Sequence, residues 1–170
     1  MIKIALTGPE SSGKTTLAEL IAQHYKTTCV PEFAREFIEK LERDYNKKDL
    51  VNIAEGHLKD ILSAEERFRD KPLIVVDTDF IVIDVWSRYK YGETDKAITA
   101  LVESNIFDLH ILCEPDIPWE NDVMRENPND RDSLFILYKE TLETHGKSYI
   151  IVNGSIKKRK KKAIKAIELL

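Results

Sequence analysis

Eight residues near the start, Gly8-Pro9-Glu10-Ser11-Ser12-Gly13-Lys14-Thr15, have the types and spacing needed to grip a polyphosphate. They fit G-x-x-x-x-G-K-[ST] without a mismatch. Gly8 and Gly13 permit backbone conformations that a Cβ would resist, so the N–H groups of Glu10, Ser11, Ser12, Gly13, Lys14, Thr15 and Thr16 can turn inward as a nest for the α- and β-phosphates of ATP. Lys14 has the reach to bridge the β- and γ-phosphates, and the Thr15 hydroxyl suits Mg2+.

That motif needs a strand before it and a helix after it. Ile2 to Thr7 is a short, largely apolar strand candidate, and Thr16 to Tyr25 places Leu17, Leu20, Ile21 and His24 at helical spacing. A helix starting at the loop also turns its unpaired N–H groups and positive dipole end toward the anion.

Further along, Thr27 to Val30 reads as a strand stopped by Pro31, and a helix opens there with Pro31 near its first turn. Asn46 or Asp49 is the cap candidate for a third helix, in which Gly56 is a modest interruption. Leu73 to Asp77 is a continuous β-branched run, the pattern of a strand buried on both faces. Helical spacing resumes through Phe80, Ile83, Trp86 and Ser87, and again over about Glu93 to Asn105. Leu109 to Cys113 is a strand, Ser133 to His145 a helix capped by Gly146, and Ser148 to Val152 the last strand. The stretch 118–132 has no periodicity and reads as a lid. Five strands alternating with helices predict an α/β fold of the P-loop NTPase kind, a five-stranded parallel sheet flanked by helices, in a single domain spanning 1–170.

Ligands of such sheets bind beyond the carboxyl ends of the strands. The polar residues expected there are Gly8 to Thr15, Glu32 with Arg35, Asp77 with Asp79, Glu114 with Asp116, and Asn153 with Gly154, all facing one crevice. Asp77 suits Mg2+ directly or through water; Asp79 could bind a sugar hydroxyl or accept its proton, and the same Asp-Thr-Asp run could instead cap the next helix. Glu32 and Arg35 read either as substrate contacts or as an ordinary first-turn ion pair. Arg125 and Arg131 read as charges delivered by the lid to the transferring phosphoryl group, or as solvated loop arginines. Trp86 and Trp119 could stack on a flat or cationic ring, with core packing the alternative for Trp86. The run Lys157 to Lys162 overlies an apolar stripe of Ile156, Ala163, Ile164, Ile167 and Leu170, so it is expected to be the solvated face of a closing helix. The four histidines are scattered without metal-ligand spacing.

The 170 residues are 42% apolar and 33% charged with a net charge of −4, a balance that suits a cytoplasmic protein and excludes a general nucleic-acid binder. No apolar run reaches the roughly 20 residues a membrane-spanning helix needs. Cys29 and Cys113 lie in apolar runs and read as buried thiols.

Taken together, Gly-Pro-Glu-Ser-Ser-Gly-Lys-Thr-Thr-Leu-Ala at 8–18, Val-Pro-Glu-Phe-Ala-Arg-Glu-Phe at 30–37, Asp-Thr-Asp at 77–79, Val-Trp-Ser at 85–87, Pro-Trp-Glu-Asn-Asp at 118–122 and Arg131 followed by Leu134-Phe135 resemble the ribosylnicotinamide kinase domain of NadR-type proteins. The resemblance spans nearly the whole chain. It implies transfer of the ATP γ-phosphoryl to the 5′-hydroxyl of nicotinamide riboside, giving nicotinamide mononucleotide for NAD synthesis. It also implies Lys14, Mg2+ on Thr15 and Asp77, and Arg125 and Arg131 as the charges, Asp79 or Glu32 as base, Arg35 as a second substrate contact, Trp86 and Trp119 against the pyridinium, and Asn153-Gly154 beside the adenine. The DNA-binding segment and nucleotidyltransferase domain of such proteins have no counterpart in this sequence, so transcriptional control and adenylyl transfer are not expected. Two other readings fit the phosphate loop: a kinase for another nucleoside or small hydroxylated metabolite, and an ATP-binding regulatory module. Acceptor-independent phosphate release would favour the module.

Overall fold

A computed structural model describes residues 1–120 and 129–170. Five parallel strands form one sheet: β1 (Ile2–Thr7), β2 (Cys29–Val30), β3 (Leu73–Asp77), β4 (Leu109–Cys113) and β5 (Tyr149–Val152), in the order β2-β3-β1-β4-β5. The described helices are α1 (Lys14–Tyr25), α2 (Phe33–Glu39), α3 (Lys47–Arg67), α4 (Phe80–Tyr91), α5 (Lys96–Glu103), α6 (Arg131–Thr144) and α7 (Ile156–Ile167).

Side chains alternate across the sheet, and the two faces bury different helices. Ile4, Leu6, Leu73, Val75, Ile111 and Cys113 pack with Leu17, Ile21, Ala163 and Ile167 of α1 and α7. Ile74, Val76 and Leu112 pack with α2 to α6 through residues such as Ala34, Ile53, Phe80, Ile98 and Leu142. The alternation assigns Asp77, two residues past Val75, to the α1 face, and the register sets it opposite Leu6, two residues before the phosphate loop.

Several local expectations sharpen. Both cap candidates of α3 are used: the Asn46 side chain accepts from Lys48 N and Asp49 N, and Asp49 reciprocates by accepting from Asn46 N at 2.8 Å. Gly56 is a docking site rather than an interruption, because a Cβ there would come within 2.3 Å of the Phe33 ring. That contact fixes α2 against α3. Helix α2 starts two residues later than proline placement suggested, at Phe33, with Glu32 in an extended conformation (φ −64°, ψ 108°) and making no side-chain cap. Among the described residues no helix is long and apolar enough to cross a membrane. Both cysteines are free thiols; burial pushes Cys29 and Cys113 up to about 12, so they stay protonated.

Candidate active site

The phosphate loop connects β1 to α1 through three residues of positive φ: Gly8 at 130°, Ser11 at 51° and Gly13 at 79°. At Gly8 a Cβ would lie 2.7 Å from the Cys113 carbonyl oxygen, so the loop rests on the end of β4 with no space for a side chain. Helix α1 has no side-chain cap, which leaves its first N–H groups to an anion. Lys14 Nζ donates to the carbonyls of Gly8 and Pro9, both at 2.8 Å.

In front of the loop lies a cavity of about 240 Å³. Its first wall is Gly8 and Glu10 to Thr16; its second is Glu32 and Arg35 at the start of α2. The third is apolar and aromatic, made by Val82, Trp86 and Tyr89 of α4 with Leu134 and Tyr138 of α6. Ile117, Pro118 and Glu120 complete the rim. Trp86 is held by a bond from its Nε1 to the Tyr45 hydroxyl at 2.9 Å and by an edge-on contact between the two rings, 4.9 Å apart. Burial pushes the Glu32 carboxyl above its ordinary value; Lys14 opposes that, the Asp77 charge adds to it, and Arg35 opposes it again. Burial likewise pushes the Tyr138 phenol up, so it remains an O–H donor.

The expected single crevice divides in two. Among the described residues, Gly8, Glu10 to Thr16, Glu32, Arg35 and Trp86 line the cavity, and Asp77, Asp79, Trp119, Arg131, Asn153 and Gly154 do not. Asp77 is buried behind the loop, and its Oδ1 has no hydrogen-bond partner among the described residues.

Asp79 is 0% exposed, and its carboxylate is spoken for. Oδ1 accepts from Val82 N at 2.9 Å as the cap of α4; Oδ2 accepts from the Thr7 hydroxyl and lies 2.6 Å from His110 Nδ1. Both oxygens are thus engaged within the fold, in the helix-cap arrangement that the Asp-Thr-Asp run also offered.

Arg131 opens α6 and donates from Nη1 to Ser11 O at 3.1 Å and Ile117 O at 2.9 Å. Its guanidinium sits 5.8 Å from the centre of the Trp119 ring, which pairs with the arginine rather than with the cavity. Arg125 and most of the expected lid fall at 121–128, outside the described residues.

Asn153 donates to Glu114 Oε2 at 2.8 Å, and Gly154 N donates to Asp116. Both belong to a cluster around Arg159, which is buried although it lies within the lysine run. The rest of that run conforms to the solvated-face reading, except that Lys160 is half-buried. Ile156 and Leu170 are exposed, so the buried stripe of α7 is Arg159, Ala163 and Ile167.

The sequence reading passed over His57 and His110, both of which abut the Asp77-Thr78-Asp79 segment. His57 Nε2 donates to Thr78 O at 3.1 Å, and burial lowers its basicity. The available signal was a polar side chain inside an otherwise apolar strand for His110, and i, i+4, i+8 spacing with Ala163 and Ile167 for Arg159.

A family model described as an AAA domain matches residues 3–159. The chain belongs to this AAA domain family. Its relatives include the trifunctional NAD biosynthesis/regulator protein NadR of Escherichia coli K12, 30% identical over 157 residues that cover 88% of this chain and 37% of the relative. The chain thus spans well under half the length of that protein. This AAA domain also superposes on the crystal structure of a NadR protein in complex with NR, with a TM-score of 0.79 and 21% identity over 99% of this chain and 51% of that one. Thymidylate kinase from Ehrlichia chaffeensis matches with a TM-score of 0.70 and 13% identity over 98% of both chains. At those identities the likeness establishes the fold, that of nucleoside and nucleotide kinases.

Proposed function

We propose that this protein is an ATP-dependent kinase that phosphorylates the 5′-hydroxyl of nicotinamide riboside, giving nicotinamide mononucleotide. The observation that carries the reading is the single cavity in which a phosphate loop, a partly enclosed carboxylate and an aromatic wall face one another. The NadR relative, and a NadR protein solved with NR, which we read as nicotinamide riboside, support the choice of acceptor.

Phosphoryl transfer depends on in-line positioning and charge neutralisation more than on covalent chemistry. Backbone N–H groups of the loop and Lys14 hold the triphosphate. Mg2+ fits the donor set: one carboxylate, Asp77, whose buried Oδ1 has no partner among the described residues, and one hydroxyl, Thr15, on the cavity wall. Magnesium is commonly held by one or two carboxylates plus substrate phosphates, and when bound it neutralises charge on the β- and γ-oxygens.

Glu32, rather than Asp79, is the base in this reading. It lines the cavity close enough to Lys14 to feel its charge, and its raised pKa makes it the stronger acceptor for the 5′-hydroxyl proton. Arg35 supplies charge on the acceptor side. Trp86, Tyr89 and Tyr138 offer ring faces and an O–H to a flat, cationic pyridinium.

The test is ADP release from MgATP with nicotinamide riboside, uridine, cytidine, adenosine and thymidine, each against a control without acceptor. Stimulation by nicotinamide riboside is expected. Stimulation only by another nucleoside would reassign the acceptor, and equal release with and without any acceptor would refute the kinase.

A further inference from the structure

The arginine at 159 has no counterpart in the chemistry above, yet it is among the largest fully buried side chains. Burying a guanidinium is costly unless its donors are matched. Here they are. Nε donates to Gly154 O at 2.9 Å, Nη1 to Ser12 O at 2.7 Å, and Nη2 to Glu114 O at 3.0 Å and to the Asp116 carboxylate. One side chain therefore ties together the phosphate loop, the segment after β4 and the turn after β5. Asp116 completes the knot by accepting from Gly154 N.

The bond to Ser12 O bears on the triphosphate. Ser12 C=O and Gly13 N–H are two ends of one peptide group, and Gly13 N–H belongs to the anion nest. For that N–H to point at a phosphate, the Ser12 carbonyl must point away from it, and Arg159 is what the carbonyl meets. A cation on the oxygen also polarises the peptide and strengthens its N–H as a donor. Arg131 acts on the preceding peptide in the same sense, donating to Ser11 O and, like Arg159, to a carbonyl of the segment after β4.

Resting on the phosphate-loop reading above, we infer that Arg159, oriented by Asp116, is a positioning residue that holds the Ser12–Gly13 peptide in its anion-binding orientation. It acts on nucleotide binding from outside the cavity.

Calorimetric titration of MgATP into wild type, R159M and R159K, with kinetics on the same preparations, tests this. Losing one charge-assisted bond predicts about 10- to 100-fold weaker MgATP binding by folded R159M. Its ATP KM should rise with that affinity and its acceptor KM should not change. R159K, which keeps the charge but not the five-donor fork, should recover only part of the affinity. D84N, which breaks a different ion pair, between buried Asp84 and exposed Arg88, should lower the melting temperature without changing MgATP affinity. Wild-type affinity in folded R159M overturns the inference. If R159M does not fold, D116N takes its place: weaker MgATP binding supports the inference and unchanged binding overturns it. Failure of the kinase reading looks different, as wild type that binds MgATP and phosphorylates no acceptor.

Discussion

Replacing Asp79 with asparagine separates an architectural carboxylate from a catalytic one. The side chain is fully enclosed, with Oδ1 on Val82 N and Oδ2 shared between the Thr7 hydroxyl and His110 Nδ1. Because a carboxylate only accepts, the geometry assigns the His110 proton to Nδ1. Asparagine keeps one acceptor. If its oxygen stays on Val82 N, its NH2 group faces two donors. The Thr7 hydroxyl can rotate away, and His110 can accept only by moving its proton to Nε2. At least one charge-assisted bond, worth about 1.5–3 kcal/mol, is lost, and any donor left stranded costs about 1–3 kcal/mol more. With partial relaxation a net loss of about 3 kcal/mol is expected. For a chain of this size each kcal/mol moves the melting temperature by about 2–4 °C, so D79N should melt about 6–12 °C lower. Scanning calorimetry reads that shift, and steady-state kinetics at a temperature where the variant is folded reads the KM for the acceptor, which should be unchanged. The double variant D79N/H110N should destabilise by less than the sum of its parts, since both remove the same bond. An unaltered melting temperature with a large rise in acceptor KM would refute the assignment and return Asp79 to the sugar.

Three further outcomes follow from the site. Lys14→Ala should lower turnover by about 10²- to 10³-fold, as loss of a single electrostatic donor does elsewhere; unchanged turnover in an ADP-release assay would discard the phosphate-loop assignment. Glu32→Gln should lower turnover by about 10²- to 10⁴-fold, and because the base must be ionised, wild-type kcat/KM should fall as pH drops through a value above the ordinary 4.5 of a glutamate; an acid limb at or below the ordinary value would exclude Glu32. His57 has its pKa lowered by burial from 6.5, so the unfolded chain binds that proton more readily. The contribution of His57 to stability is thus complete above about pH 6.5 and declines as pH falls below it, and denaturant titrations of His57→Asn should show a shallower decline.

The parts of this molecule most legible in the sequence are those where one residue type has one physical use. The strand-loop-helix around Gly8 to Thr15 is an example, since glycine at 8 and 13 and lysine at 14 have few other reasons to occur at that spacing. The β-branched run of β3 is another. Asp79 is visible in the sequence as a candidate for two roles, because an aspartate after a strand serves equally as helix cap and as ligand. What decided between them was the pairing of Thr7 and His110, residues 103 apart in sequence, around one oxygen. The pairing of strands that lie far apart in sequence, as β1 and β4 do, is not written in local pattern.

Arg159 shows a different kind of concealment. Flanked by lysines, it looks like one more surface cation, and composition averages it away. Only the helical period singles it out, one turn before Ala163 and two before Ile167 on the buried side of α7. Lysine would serve this position poorly. A single ammonium has three rotatable donors, whereas the planar guanidinium presents five in a fixed fork and so can meet Ser12, Glu114, Gly154 and Asp116 at once. That geometric demand explains why the lone arginine of the run, rather than any of its lysines, lies beneath the phosphate loop, and it ties the last helix to the chemistry of the first loop.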